Sequence, residues 1–126
     1  MQRPMHLLFR TRNARGITFI LILIAIVGSL LPPQQMEQIT FNLSDKLIHC
    51  LYYIGLTFFW IKSTEEPRNR KLIKTALLVF LFGLLLEILQ GTLPIQRNMD
   101  FFDLLANSVG ILLALVSEHF LRVNVK

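Results

Sequence analysis

Carboxylates, amides and an imidazole set within apolar sequence invite a chemical question, because each is costly to hold away from water. Three short stretches carry them. Asp45, Lys46 and His49 open one apolar block, and Glu87 and Gln90 close the next. Asp103 and Asn107 open the last block, with Arg97 and Asp100 just before it. Helical spacing sorts them into stripes. Asp45, His49 and Tyr52 stand at i, i+4, i+7, as do Gly83, Glu87 and Gln90; Asp103, Asn107, Gly110 and Ala114 stand at i, i+4, i+7, i+11. In two stripes the polar residues run into a small residue one turn deeper, which lets a neighbouring helix approach closely. Asp45, Glu87, Asp100 and Asp103 outnumber Lys46 and Arg97 by two charges when His49 is neutral. Either one carboxyl keeps its proton or a cation sits among them, and the proton is the favoured reading. His49 with two carboxylates would suit a metal ion, but no tight ligand motif is present. No metal and no cofactor are therefore expected.

Three kinds of chemistry fit this inventory. In a binding site, Lys46 and Arg97 would hold an anionic or carboxylate group, and the acids would meet an amine or orient Arg97. In an enzyme, Glu87 or Asp103 would act as general base and His49 as acid, with Arg97 stabilising developing negative charge. No activated nucleophile is evident: Cys50 adjoins His49 and projects from a different helix face, and Ser108 has no obvious base. In a structural role, interhelical hydrogen bonds of about 0.6 kcal/mol each would hold a bundle together. That accounts for Gln90 and Asn107 better than for Glu87, Arg97 and the aspartates, whose desolvation is costly. His6 and His119 read as flanking residues without metal spacing, and Trp60, Tyr52 and Tyr53 as packing or interface anchors.

The elements that must position these groups are legible from composition. The chain has 126 residues, 53% hydrophobic and 17% charged, against roughly 25% charged in a soluble domain. Its apolar residues fall in four blocks, which predict spans at about 16–34, 45–61, 72–92 and 101–121. Together they form a single domain over 1–126. The five prolines lie outside the uninterrupted apolar runs, and each block carries a glycine in its interior: Gly28, Gly55, Gly83 and Gly110. A soluble bundle would show a polar face on each helix, and FILILIAIVGSLL and ALLVFLFGLLL have none. The first block also lacks an A-x-A cleavage pattern, so it reads as an uncleaved helix. Eleven of the thirteen Lys and Arg fall in the N-terminal tail, the loop between blocks two and three, and the C-terminus. With four crossings, all eleven share one side. The expected fold is an all-α integral membrane four-helix bundle with antiparallel up-down spans and both termini cytoplasmic. The polar stripes then meet at the extracytoplasmic end. The bilayer is the expected partner and nucleic acid is not; a homo-oligomer stays open, because short helices leave much lipid-facing surface.

The residues also resemble a family. Asp45-Lys46-x-x-His49-x-x-x-Tyr53-x-x-Leu56 resembles the second-helix motif of VanZ-like membrane proteins, and Glu87-x-x-Gln90, then Arg97, then Asp103-x-x-x-Asn107-x-x-Gly110 looks like that family's second motif. The resemblance covers about residues 16–121. Ala114 stands where relatives often carry a second glycine, and the segment between the arginine and the aspartate varies, which lowers the weight on Asp100. The resemblance implies a multi-pass protein of the bacterial cytoplasmic membrane. It also implies an envelope role of the kind linked to resistance to the glycopeptide teicoplanin. The ligand would be an envelope component; the alternatives are an enzyme acting on a lipid-linked precursor and a purely structural subunit.

Overall fold

A computed structural model of the protein describes residues 11–31, 45–95 and 98–123, without the side chains of 45 and 121–123. The described residues form four helices: α1 (Thr11–Leu30), α2 (Asp45–Lys62), α3 (Arg68–Thr92) and α4 (Phe101–Val123). No strand occurs among them.

Helix ends follow local chemistry. Pro67, with ψ of 143°, precedes the first residue of α3, a place where a missing N–H is harmless. At the other end Leu93 has ψ of 148°, the extended conformation that a following proline, here Pro94, imposes. α4 starts at a polar cap. The Asp100 carboxylate accepts the N–H of Phe102 at 2.8 Å, and its carbonyl accepts the N–H of Asp103 at 3.1 Å, satisfying donors that open a helix.

The sequence-based boundaries need adjusting at the polar flanks. α1 begins at Thr11 rather than at 16, and α3 at Arg68 rather than at 72. Backbone hydrogen bonding continues past the last apolar residue into the charged flanks, which a charge-free window cannot detect. The remainder of the first expected span, 32–34, lies outside the described residues. Three helical segments are long and apolar enough to cross a membrane: Thr11–Leu30, Arg68–Thr92 and Phe101–Phe120. α2, with 18 residues and charges at both ends, falls short of that standard.

The core is thin. Tyr53 and Leu56 of α2, Val79 of α3 and Ile111 of α4 are buried together, flanked by Leu21 and Ile22 of α1. Large apolar side chains on the outer faces are exposed, among them Phe19, Leu23 and Val27 on α1, Leu77, Leu81 and Leu85 on α3, and Leu112, Val116 and Phe120 on α4. Surfaces this apolar and continuous belong against lipid rather than water.

α2 and α4 make the closest pair, and Gly110 is the reason. A Cβ there would collide with the carbonyl of Cys50 and lie 3.1 Å from Tyr53 Cβ and 3.2 Å from the Ile54 nitrogen. Ala114, one turn on, is fully buried. Gly83 plays the same part on α3, against the ring of Tyr53 and the Asn107 amide. Gly55 does not: a side chain there would meet nothing within 4 Å.

Candidate functional site: a polar cluster where α2, α3 and α4 meet

The first turns of α2 and α4 lie side by side because Gly110 brings their backbones together one or two turns deeper. Lys46 therefore reaches the start of α4. Its Nζ donates to Asp100 Oδ2 at 2.6 Å and also to Asp103 Oδ1. The hydrogen bond from Lys46, followed by that from the Phe102 N–H, holds the Asp100 carboxyl below the usual carboxylate range. One turn deeper, His49 Nδ1 lies 2.9 Å from Asn107 Oδ1. The other ring nitrogen, Nε2, faces Asp103 Oδ2 at 3.8 Å.

α3 closes the cluster from the third side. Glu87 is 2% exposed. Its Oε2 accepts the backbone N–H of Asp100 at 3.2 Å, so it helps seat the start of α4. One donor atom each from His49, Glu87 and Asp103 lie within 4.8 Å of one another. Asn107, 1% exposed, sits behind them, its amide against the space that Gly83 leaves open.

Lys46, His49, Glu87, Asp103 and Asn107 are thus brought together, and Asp100 joins them through both its side chain and its backbone. Gln90 is buried, but its Nε2 donates to the Ser29 carbonyl of α1 at 3.0 Å. Tyr52, on the His49 stripe in sequence, likewise turns away and donates to the Leu21 carbonyl of α1. Arg97 and the side chain of Asp45 lie outside the described residues.

A second polar cluster, which the sequence reading missed, occupies the other ends of α2 and α4. Glu118 is fully buried. Lys62 Nζ reaches its two oxygens at 2.9 and 3.0 Å and lies 5.4 Å above the Phe58 ring. Beside them Arg15 of α1 donates to the Ser63 carbonyl at 3.0 Å. The signal was present: Glu118 stands four residues beyond Ala114 and continues the stripe of Asp103, Asn107 and Gly110.

Apolar outer faces on helices that also bring a charged cluster together define an all-helical membrane protein with a polar site among its helices. The chain belongs to the VanZ/LLP1 family, whose description matches residues 7–122. No curated protein and no solved structure matches it.

Proposed function

We propose that the protein is a four-span component of the bacterial cytoplasmic membrane whose polar cluster opens to the extracytoplasmic side and binds a polar group of an envelope component. The observation that carries this reading is the convergence of Lys46, His49, Glu87 and Asp103 from three helices. A bundle needing only cohesion could use uncharged partners at lower desolvation cost.

Alternating helix directions are supported by contacts at both ends. Lys46 with Asp103 and Lys62 with Glu118 align α2 and α4 start to start and end to end. Gln90 with Ser29 joins the last turns of α3 and α1, while Arg15 near the start of α1 meets Ser63 just past α2. As the fourth span, α2 reaches about 27 Å at ~1.5 Å per residue. Lys46 and Lys62, at its two ends, have their ammonium groups paired with acids of α4 and of the turn before it. The distribution of Lys and Arg then favours cytoplasmic termini. The excess of acids suits an amine on the ligand, and Lys46 with Arg97 suits an anionic group.

The test is a set of near-isosteric variants, Glu87→Gln and Asp103→Asn, expressed in a bacterial host. Membrane yield and teicoplanin susceptibility are measured together. Retained yield with altered susceptibility is the expected result. Loss of yield in both variants would assign the cluster a structural role instead.

A further inference from the structure

We propose that His49, Glu87 and Asp103 form a binding site for one divalent transition-metal ion, zinc being the best match to one imidazole and two carboxylates. The inference does not depend on the envelope-component reading.

Its first support is the state of His49. An amide oxygen can only accept a hydrogen bond, so the 2.9 Å contact with Asn107 Oδ1 places the hydrogen on Nδ1. A neutral histidine that donates through one nitrogen to a fixed oxygen presents the other as a lone pair, the usual arrangement behind a metal-bound imidazole. That other nitrogen, Nε2, faces Asp103 Oδ2 at 3.8 Å. The gap is too long for a hydrogen bond, yet near the ~3.4 Å that separates two ligands on a tetrahedral ion with bonds of about 2.1 Å.

The second support is Glu87. It is 2% exposed, and among the described residues its carboxylate takes one hydrogen bond, from the Asp100 N–H to Oε2. Among the described residues Oε1 accepts no hydrogen bond, which leaves that oxygen available as a ligand. The three donor atoms lie within 4.8 Å of one another. They come from three helices, so one ion would tie α2, α3 and α4 together.

The third support is charge. Glu87, Asp100 and Asp103 stand against Lys46 alone among the described charged groups of the cluster. One divalent ion cancels the remaining two negative charges. Lys46 binds Asp103 through Oδ1 and leaves Oδ2 to the ion. Three protein ligands leave a coordination position open to solvent or an exogenous group.

The experiment uses the full untagged chain, purified in detergent, stripped with chelator, loaded with Zn²⁺ and desalted. One zinc per chain is expected by elemental analysis. Glu87→Gln and Asp103→Asn should each lose it, and Asn107→Leu should weaken it about 10–100-fold by freeing the imidazole. In a Cys50→Ser background, which removes the sole native thiol, His49→Cys loaded with Co²⁺ should show a near-ultraviolet thiolate-to-cobalt band. That readout decides even if His49→Ala fails to fold. The proposal is overturned by wild-type protein without stoichiometric zinc, by full retention in both carboxylate variants, by unchanged affinity in Asn107→Leu, or by bound cobalt without the thiolate band.

Discussion

α2 and α4 carry charges at both of their shared ends, and the two ends solve the same electrostatic problem differently. At one end Lys62 meets the fully buried Glu118, with a phenylalanine ring beneath the ammonium. At the other end Lys46 meets two aspartates, with Glu87 buried just below and a histidine between. The first arrangement balances its charges with protein groups alone. The second carries acids in excess among the described charged groups, and the proposed cation site rests on that excess.

The largest expected effect strikes both ends at once. Gly110→Val forces a side chain into the Cys50 carbonyl and the Tyr53 side chain. Pushing α2 from α4 should cost about 3 kcal/mol or more, read as lost monodisperse protein in detergent. Folded Gly110→Val protein with intact zinc binding would show that the two clusters do not depend on that approach.

Breaking the balanced end should cost less. Lys62→Met removes that cation from Glu118. The cost should be about 2 kcal/mol, below the roughly 3–5 of a fully buried pair, because Lys62 is 25% exposed. The double variant Lys62→Met, Glu118→Met should recover most of the loss in thermal unfolding. Failure to recover would mean that the pair does more than match charge.

The acidic end should respond in the opposite direction. In metal-free protein, Glu87→Gln replaces a buried carboxyl by a neutral amide at almost unchanged volume and should raise stability by about 1 kcal/mol. A comparable fall instead would make Glu87 as structural as Glu118. The smallest effect is expected of Lys46→Met. Lys46 is 43% exposed, so the cost in thermal unfolding should stay under about 1 kcal/mol and shrink in high salt.

Much of this arrangement was legible in the sequence, for identifiable reasons. Apolar blocks and prolines located α2, α3 and α4, because proline and charge mark where a helix must end or leave lipid. The i, i+4, i+7 stripe through Asp103, Asn107 and Gly110 read out the buried face of α4, since side-chain direction follows helical periodicity. Partner choice was much harder to read. Gln90 and Tyr52 share stripes with Glu87 and His49, yet both donate to carbonyls of α1. Stripe membership gives an angle around one helix and says nothing of which neighbour stands there. The Lys62–Glu118 pair is hard to see in the sequence because each residue, taken alone, reads as an end charge of an apolar block. Aligning α2 with α4 by Lys46 and Asp103 brings Lys62 and Glu118 to the same level within one residue.

The attachment of α1 has a consequence for how this chain can vary. Tyr52 and Gln90 grip it through the carbonyls of Leu21 and Ser29, atoms that every amino acid possesses. Exchanges such as Leu21→Val or Ser29→Ala leave those handles in place. The polar grip on the later turns of the first helix therefore tolerates exchange of the side chains it passes, while the three helices that surround the acids are held to particular side chains.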